Sequence, residues 1–233
     1  MLKYNVNVFI KILFIDQNYK RKHKTKESKM KIKTVRLFEK DQKINKETWD
    51  KIFQDIRFTP SSFDLQPWRF FVIESQENKN KLKTCLKGNL TQLETSSAMV
   101  LLFGDLNKAK NSEYIYQQKW LNNEITLERK ELVLKQIKEN YFSMQENKLH
   151  NELFLEGGIV GLNFVATLQK FDYNGGFIGG CKFDQVNELF DIPSNYLPLI
   201  LISVGKEKLF PEGEKGRKKT PFKLKPEDFV NFL

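Results

Sequence analysis

Among 233 residues there are only two cysteines and two histidines, and no long apolar run. Cys85 and Cys181 lie far apart with no CxxC between them. That argues against a disulfide scaffold or a zinc site and suits a reducing cytosol. His23 sits in a basic tail and His150 stands alone near a predicted helix start. HExxH, clustered His/Cys/carboxylate ligands, a GxSxG elbow and a Walker A loop are all missing. The cluster GGFIGG (175–180) lacks both the strand–loop–long-helix context and the distal acid of a dinucleotide fingerprint. The apolar stretch YNVNVFIKILFI (4–15) is interrupted by Asn5, Asn7 and Lys11. It falls short of the about 20 residues that a membrane span needs, and it lacks the small-residue cleavage site of a signal peptide. An enzyme so poor in reactive side chains relies on a bound cofactor. Non-enzymes lack the same motifs, so this point alone does not choose between them.

What is present is an ordinary globular core. Hydrophobic residues make up 40% and charged residues 29%, with 20 Phe, enough for one domain around a single core. The net charge of +10 is uneven. Residues 1–33 hold ten Lys/Arg against two acids, and residues 206–225 hold eight against three, so the remainder sums to −3. Basic ends on a near-neutral body read as solvated tails rather than a nucleic-acid face, and neither nucleic acid nor membrane is an expected partner. Residues 1–30 admit two readings, a disordered basic extension or an upstream start with Met30 as the working initiator. Residues 31–233 form the single domain.

Helices and strands alternate without a regular βαβ rhythm, which favours α+β over a doubly wound sheet. INKETWDKIFQDIRFTP reads as a helix capped by Asn45, with Ile44 stapled onto Trp49 and a buried stripe of Trp49, Ile52, Phe53 and Ile56. Residues 68–74 read as a strand, Ser75 to about Leu86 as a helix, and 98–104 as a central strand. Helical spacing continues over 113–144 and again over 150–171, where Gly157, Gly158, Gly161 and Ala166 would admit a close neighbour. A short strand at 175–180, a short helix capped by Asp184 and a buried strand at 197–205 complete the pattern.

The stretch FTPSSFDLQPWRFFV (58–72) carries two readings. In one, Ser61 and Ser62 satisfy backbone groups of a turn and Trp68 is core. In the other, the hydroxyls and exposed N–H groups between a helix and a strand meet a polar ligand. TPSSFDLQPWRFFVIE closely resembles the PSS-x-N-x-QPW-x-F segment of the FMN-dependent nitroreductase family. The resemblance extends, in order, to KTVRLF (33–38), KGNL (87–90), GGIVGLNFVATLQKFDYNGGFIGG (157–180), FDIPSNYLPLILISVGK (190–206) and KGRKK (215–219).

The resemblance implies an α+β fold with a mixed central sheet flanked by helices. It also implies an interlocked homodimer with FMN at the subunit interface, and no catalytic side chain, since flavin N5 carries the chemistry. NAD(P)H would donate hydride, and nitroaromatic or quinone-type acceptors would follow on the same face in a ping-pong cycle. Position by position, Thr34 and Arg36 match residues at the flavin's pyrimidine edge or ribityl-phosphate tail. Pro60, Ser61 and Ser62 match a wall lent by the partner subunit, and Asn89 matches an amide at the pyrimidine edge. Gly179 and Gly180 match backbone facing N5. Lys215 and Arg217 match a basic pair holding the phosphate, with Lys218 and Lys219 as substitutes. The sequence departs from the pattern at Asp64, where the family often has Asn and a carboxylate cannot donate. It departs again at Ile32, where many relatives have Arg and Lys31 or Lys33 stands in. Those departures motivate a second hypothesis, a flavin-binding protein without turnover.

Overall fold

The computed structural model describes residues 32–208 and 222–233. Contacts divide the chain into Met1–Ile32 and Lys33–Leu233. The elements below belong to the second unit, and the expected extension at 1–30 lies outside the described residues. Helix α1, Lys46–Ile56, begins where expected, with Asn45 Oδ1 accepting the Thr48 N–H at 2.8 Å. Such a cap stabilises a helix by about 1 kcal/mol. Trp49, Ile52 and Ile56 are buried, with Ile44 and Phe53 in the same apolar cluster. The helix stops at Thr59, whose N–H and hydroxyl both donate to the Ile56 carbonyl, directly before Pro60.

Strand β1 (Trp68–Ile73) is followed by α2 (Gln76–Lys83), α3 (Leu90–Thr95) and β2 (Ala98–Asp105), every residue of which is buried. After the long helix α6 (Glu146–Leu168) come β3 (Asn174–Ile178), α7 (Val186–Leu189) and β4 (Tyr196–Gly205). The sheet order is β1-β2-β4-β3, so the two strands with continuous apolar sequence are the central ones. A mixed sheet was the expectation, but among the described strands every pairing is antiparallel. The reason is in the connections. Helices α2 and α3 return the chain to the end of the sheet it left, and α7 does the same between β3 and β4. The stretch from β2 to β3 does cross to the opposite end, but β3 lies two places from β2 and no parallel pair forms.

One apolar layer joins α1 and α6 to one face of the sheet; a second, around Leu82, Leu93, Cys85, Cys181 and Val186, covers the other. Gly157 and Gly161 bring α6 onto its own sheet, since a Cβ at Gly157 would lie 2.5 Å from Leu199 Cδ1 and one at Gly161 3.3 Å from Phe177. Their small size thus serves packing within the chain. The helical run expected over 113–144 is in fact two helices, α4 (Ser112–Leu121) and α5 (Leu127–Phe142). Asn123 at φ 58° turns the chain, and Thr126 caps the second helix by accepting the Arg129 N–H. Asp184 lies within a 3-10 turn, Phe183–Gln185, and caps nothing.

Candidate functional site

The stretch between α1 and β1 folds into a tight turn. Phe63, Asp64 and Gln66 have φ of 50°, 52° and 49°, the left-handed region that side chains with a Cβ disfavour. Ser61 Oγ accepts the Gln66 N–H at 3.0 Å, so one hydroxyl does serve the turn's backbone. The Ser62 N–H donates to Glu156 Oε1 at 2.7 Å. Asp64, expected at the flavin, forms an ion pair with Lys119 at 2.6 Å and accepts from the Gln66 side chain. Pro60 is exposed. Gln66 and Trp68, together with Arg69 and Tyr114, line a cavity of about 460 Å³ beside the turn.

A second group gathers at the β3 edge. Residues 33–37 run along the sheet there, with the Val35 N–H on the Gly175 carbonyl and the Val35 carbonyl accepting Gln92 Nε2 at 2.9 Å. This path leaves Thr34 and Arg36 exposed. Lys33 pairs with Glu207 at 2.7 Å. Asn89, at φ 60°, heads α3 and donates its side-chain amide to Gln92 Oε1 at 2.6 Å. Gly180 lies beside it, a Cβ there being 3.6 Å from Asn89 Oδ1, and its carbonyl accepts the Lys87 N–H. Burial pushes the neighbouring Cys181 thiol up to about 11, with Cys85 nearby adding to the rise. It is held as a thiol rather than a nucleophile.

The structure brings Thr34 and Arg36 to the segment along β3, and Asn89 to Gly180, while Ser62 and Asp64 lie in the turn before β1, bonded to Glu156 of α6 and Lys119 of α4. Lys215 and Arg217 lie outside the described residues.

Sequence reasoning missed a buried polar network beside the turn. Lys108 Nζ, with 1% of its side chain exposed, sits 2.7 Å from both Glu152 Oε1 and Glu156 Oε2. The Tyr141 hydroxyl donates to Glu152 Oε1 at 2.6 Å and lies 3.3 Å from Ser62 Oγ. Burial alone would pull the Lys108 ammonium down, but hydrogen bonds to Glu152 and Glu156 and the charge of Glu156 outweigh it, so its pKa is raised. Burial likewise raises Glu152, yet the bonds from Lys108 and Tyr141 prevail and hold it low. A usable signal was available: Glu156 stands inside the apolar run 153–162 of α6, four residues after Glu152.

The family described as the Nitroreductase family matches residues 31–206. The chain belongs to the nitroreductase family. A protein of Bacillus subtilis (strain 168) named by inference as an NAD(P)H nitroreductase, YdgI, is 30% identical over 175 residues, 75% of this chain and 84% of that protein. The CLA biosynthesis enone reductase of Lactiplantibacillus plantarum is 26% identical over 179 residues, 74% of this chain and 81% of that one. A crystal structure of a family protein from Exiguobacterium sibiricum in complex with FMN superposes with a TM-score of 0.79. It is 28% identical and spans 87% of this chain and 93% of that one.

The glycine edge of this nitroreductase family member is open at Gly179. Cys181 N–H closes a tight turn onto the Gly179 carbonyl at 2.9 Å, but neither Gly179 nor Gly180 has positive φ. A Cβ at Gly179 would meet nothing within 4 Å. Neither backbone conformation nor internal packing demands glycine at 179.

Proposed function

We propose that the chain is an FMN-dependent oxidoreductase that takes hydride from NAD(P)H and reduces nitroaromatic or quinone-type acceptors, each occupying the same face in turn. Bound FMN would supply hydride transfer at N5, in keeping with the shortage of reactive side chains. The observation that carries the reading is the open Gly179–Gly180 edge beside Asn89, in a chain of this family with an FMN-bound relative.

Arg36, exposed and without an ion pair among the described residues, would balance negative charge at the pyrimidine edge. Asn89 and Thr34 would bond polar atoms there or along the tail. Pro60, Ser61 and Ser62 would wall the ring from a second subunit. Asp64 enters the reading through its ion pair with Lys119, as a tie within that wall. Lys215 and Arg217 would hold the phosphate, with Lys33 at the same end. A homodimer also accounts for the exposed apolar face of α6, where Leu155, Ile159 and Leu162 are 66%, 41% and 50% exposed in the single chain. The enzyme reading is preferred to a turnover-free flavin protein, since Asp64, one of the departures that motivated it, is occupied within the turn.

An absorbance spectrum of the purified protein, followed by anaerobic NADPH and then NADH, tests the proposal. Flavin bands that bleach with either nucleotide, and recover with menadione or a nitroaromatic, are the expected result. The enone reductase relative makes a conjugated enone the third acceptor to assay. Protein that is colourless and takes up no added FMN overturns the reading.

A further inference from the structure

The turn at 61–66 carries three side-chain-bearing residues at positive φ, a conformation that persists only where the surroundings hold it. Tyr116 donates its hydroxyl to the Phe63 carbonyl at 2.9 Å, and Lys119 holds Asp64. The remaining hold comes from the buried network. Tyr141 has a single proton, and its 2.6 Å contact with Glu152 takes it. At 3.3 Å the same hydroxyl also meets Ser62 Oγ. The contacts close into a ring: Ser62 Oγ with the Tyr141 hydroxyl, Tyr141 to Glu152, Lys108 to Glu152 and Glu156, and the Ser62 N–H back to Glu156.

We propose that this ring of Ser62, Tyr141, Glu152, Lys108 and Glu156 is the positioning element of the site, fixing Ser62 at both its N–H and its hydroxyl. It sets the wall that the turn presents to the flavin, and to that extent it rests on the reading above. Lys108 is the central positioning residue, because it touches neither turn nor flavin and acts through the two carboxylates. The ring locks protons rather than relaying them. Lys108 is raised and Glu152 lowered, and burial with the Glu152 bond raises Tyr141, so each proton stays where it is. Ring members reach the turn from three separate places: Lys108 after β2, Tyr141 at the end of α5, and both glutamates on α6. The ring thereby ties the segment 105–145, which borders a cavity of about 340 Å³ at Lys108 and Tyr141, to the flavin wall.

The charged or titratable groups facing Lys108 are Glu152 and Glu156 from α6 and Tyr141 from α5, with Lys110 on the cavity lining. The test uses the full chain as wild type, Tyr141→Phe and Lys108→Met. It measures amide hydrogen exchange in the peptide spanning 59–67 and FMN affinity by fluorescence titration. Tyr141→Phe, which removes only the bridging hydroxyl, should speed exchange in the turn and weaken FMN binding about fivefold each, leaving β2 unchanged. Lys108→Met leaves two buried carboxylates without their cation. The turn should lose protection at about pH 8 and regain it at about pH 5.5, where one carboxylate takes a proton. A lysine serving only stability would speed exchange in β2 as much as in the turn. That result, or turn exchange in Tyr141→Phe equal to wild type, overturns the proposal. If Lys108→Met does not fold, Tyr141→Phe decides alone. Wild type that binds no FMN would sink the flavin reading, while the exchange data would still judge the ring.

Discussion

At Gly176 a single methyl group decides whether the segment carrying Arg36 can lie on the sheet. An added Cβ would stand 2.7 Å from the Val35 carbonyl oxygen, 2.9 Å from Gln92 Nε2 and 3.0 Å from Ser203 Oγ. The first of these is backbone and cannot swing aside. Gly176→Ala should therefore cost about 1–3 kcal/mol, as overpacking in a filled interior does, with urea unfolding as the measurement. Because the contact is with Val35, flavin uptake at Arg36 should suffer as well. Unchanged stability would mean that residues 33–37 do not pack on β3 as described. Asp64 makes a different point about single residues. From sequence it stands as a flavin contact with the wrong chemistry, yet its carboxylate has two partners, Gln66 within the turn and Lys119 from α4. The Lys119 pairing was not predictable by spacing, since it comes from a helix fifty-five positions on.

Helix α6 shows how one element serves two neighbours. Its buried side, Leu153, Val160, Phe164 and Leu168, packs on the sheet, with Gly157 and Gly161 allowing the approach. Its opposite side repeats Leu155, Ile159 and Leu162 at three- and four-residue spacing, and in the single chain these are exposed. A helix apolar on both sides has a second surface to bury. Leu162→Lys should leave the fold intact, because the side chain is already half exposed, and should convert a dimer to a monomer. If the flavin lies between subunits, FMN retention should fall by more than about tenfold with it. Light scattering and flavin content together check this. A dimer that survives with its flavin would move the interface elsewhere.

Over the whole molecule, acid stability should report the buried network. Glu152 is held below the ordinary glutamate value by its bonds to Lys108 and Tyr141. A group lowered in this way stabilises the fold fully above its unfolded pKa, about 4.3, and loses that contribution as pH falls through the folded value. Glu152→Gln should thus cost about 1–3 kcal/mol at neutral pH, the worth of a charged hydrogen bond. The gap from wild type should close below about pH 4. Urea unfolding at several pH values measures it, and a gap constant with pH would show that Glu152 carries no net linkage.

Sequence by itself determined the local elements and the family. The Asn45 cap, the β2 and β4 cores and the stop at Pro60 are legible because caps, apolar runs and proline act within a few residues of themselves. Six motifs in register pointed to the family for the same reason, each being a short segment whose chemistry is local. Tertiary structure alone decided that the sheet is antiparallel. It alone assembled Lys108, Tyr141, Glu152 and Glu156 around Ser62. That network depends on contacts between residues 11 to 94 positions apart, and no periodicity within one segment encodes which distant side chain will arrive to satisfy a buried charge.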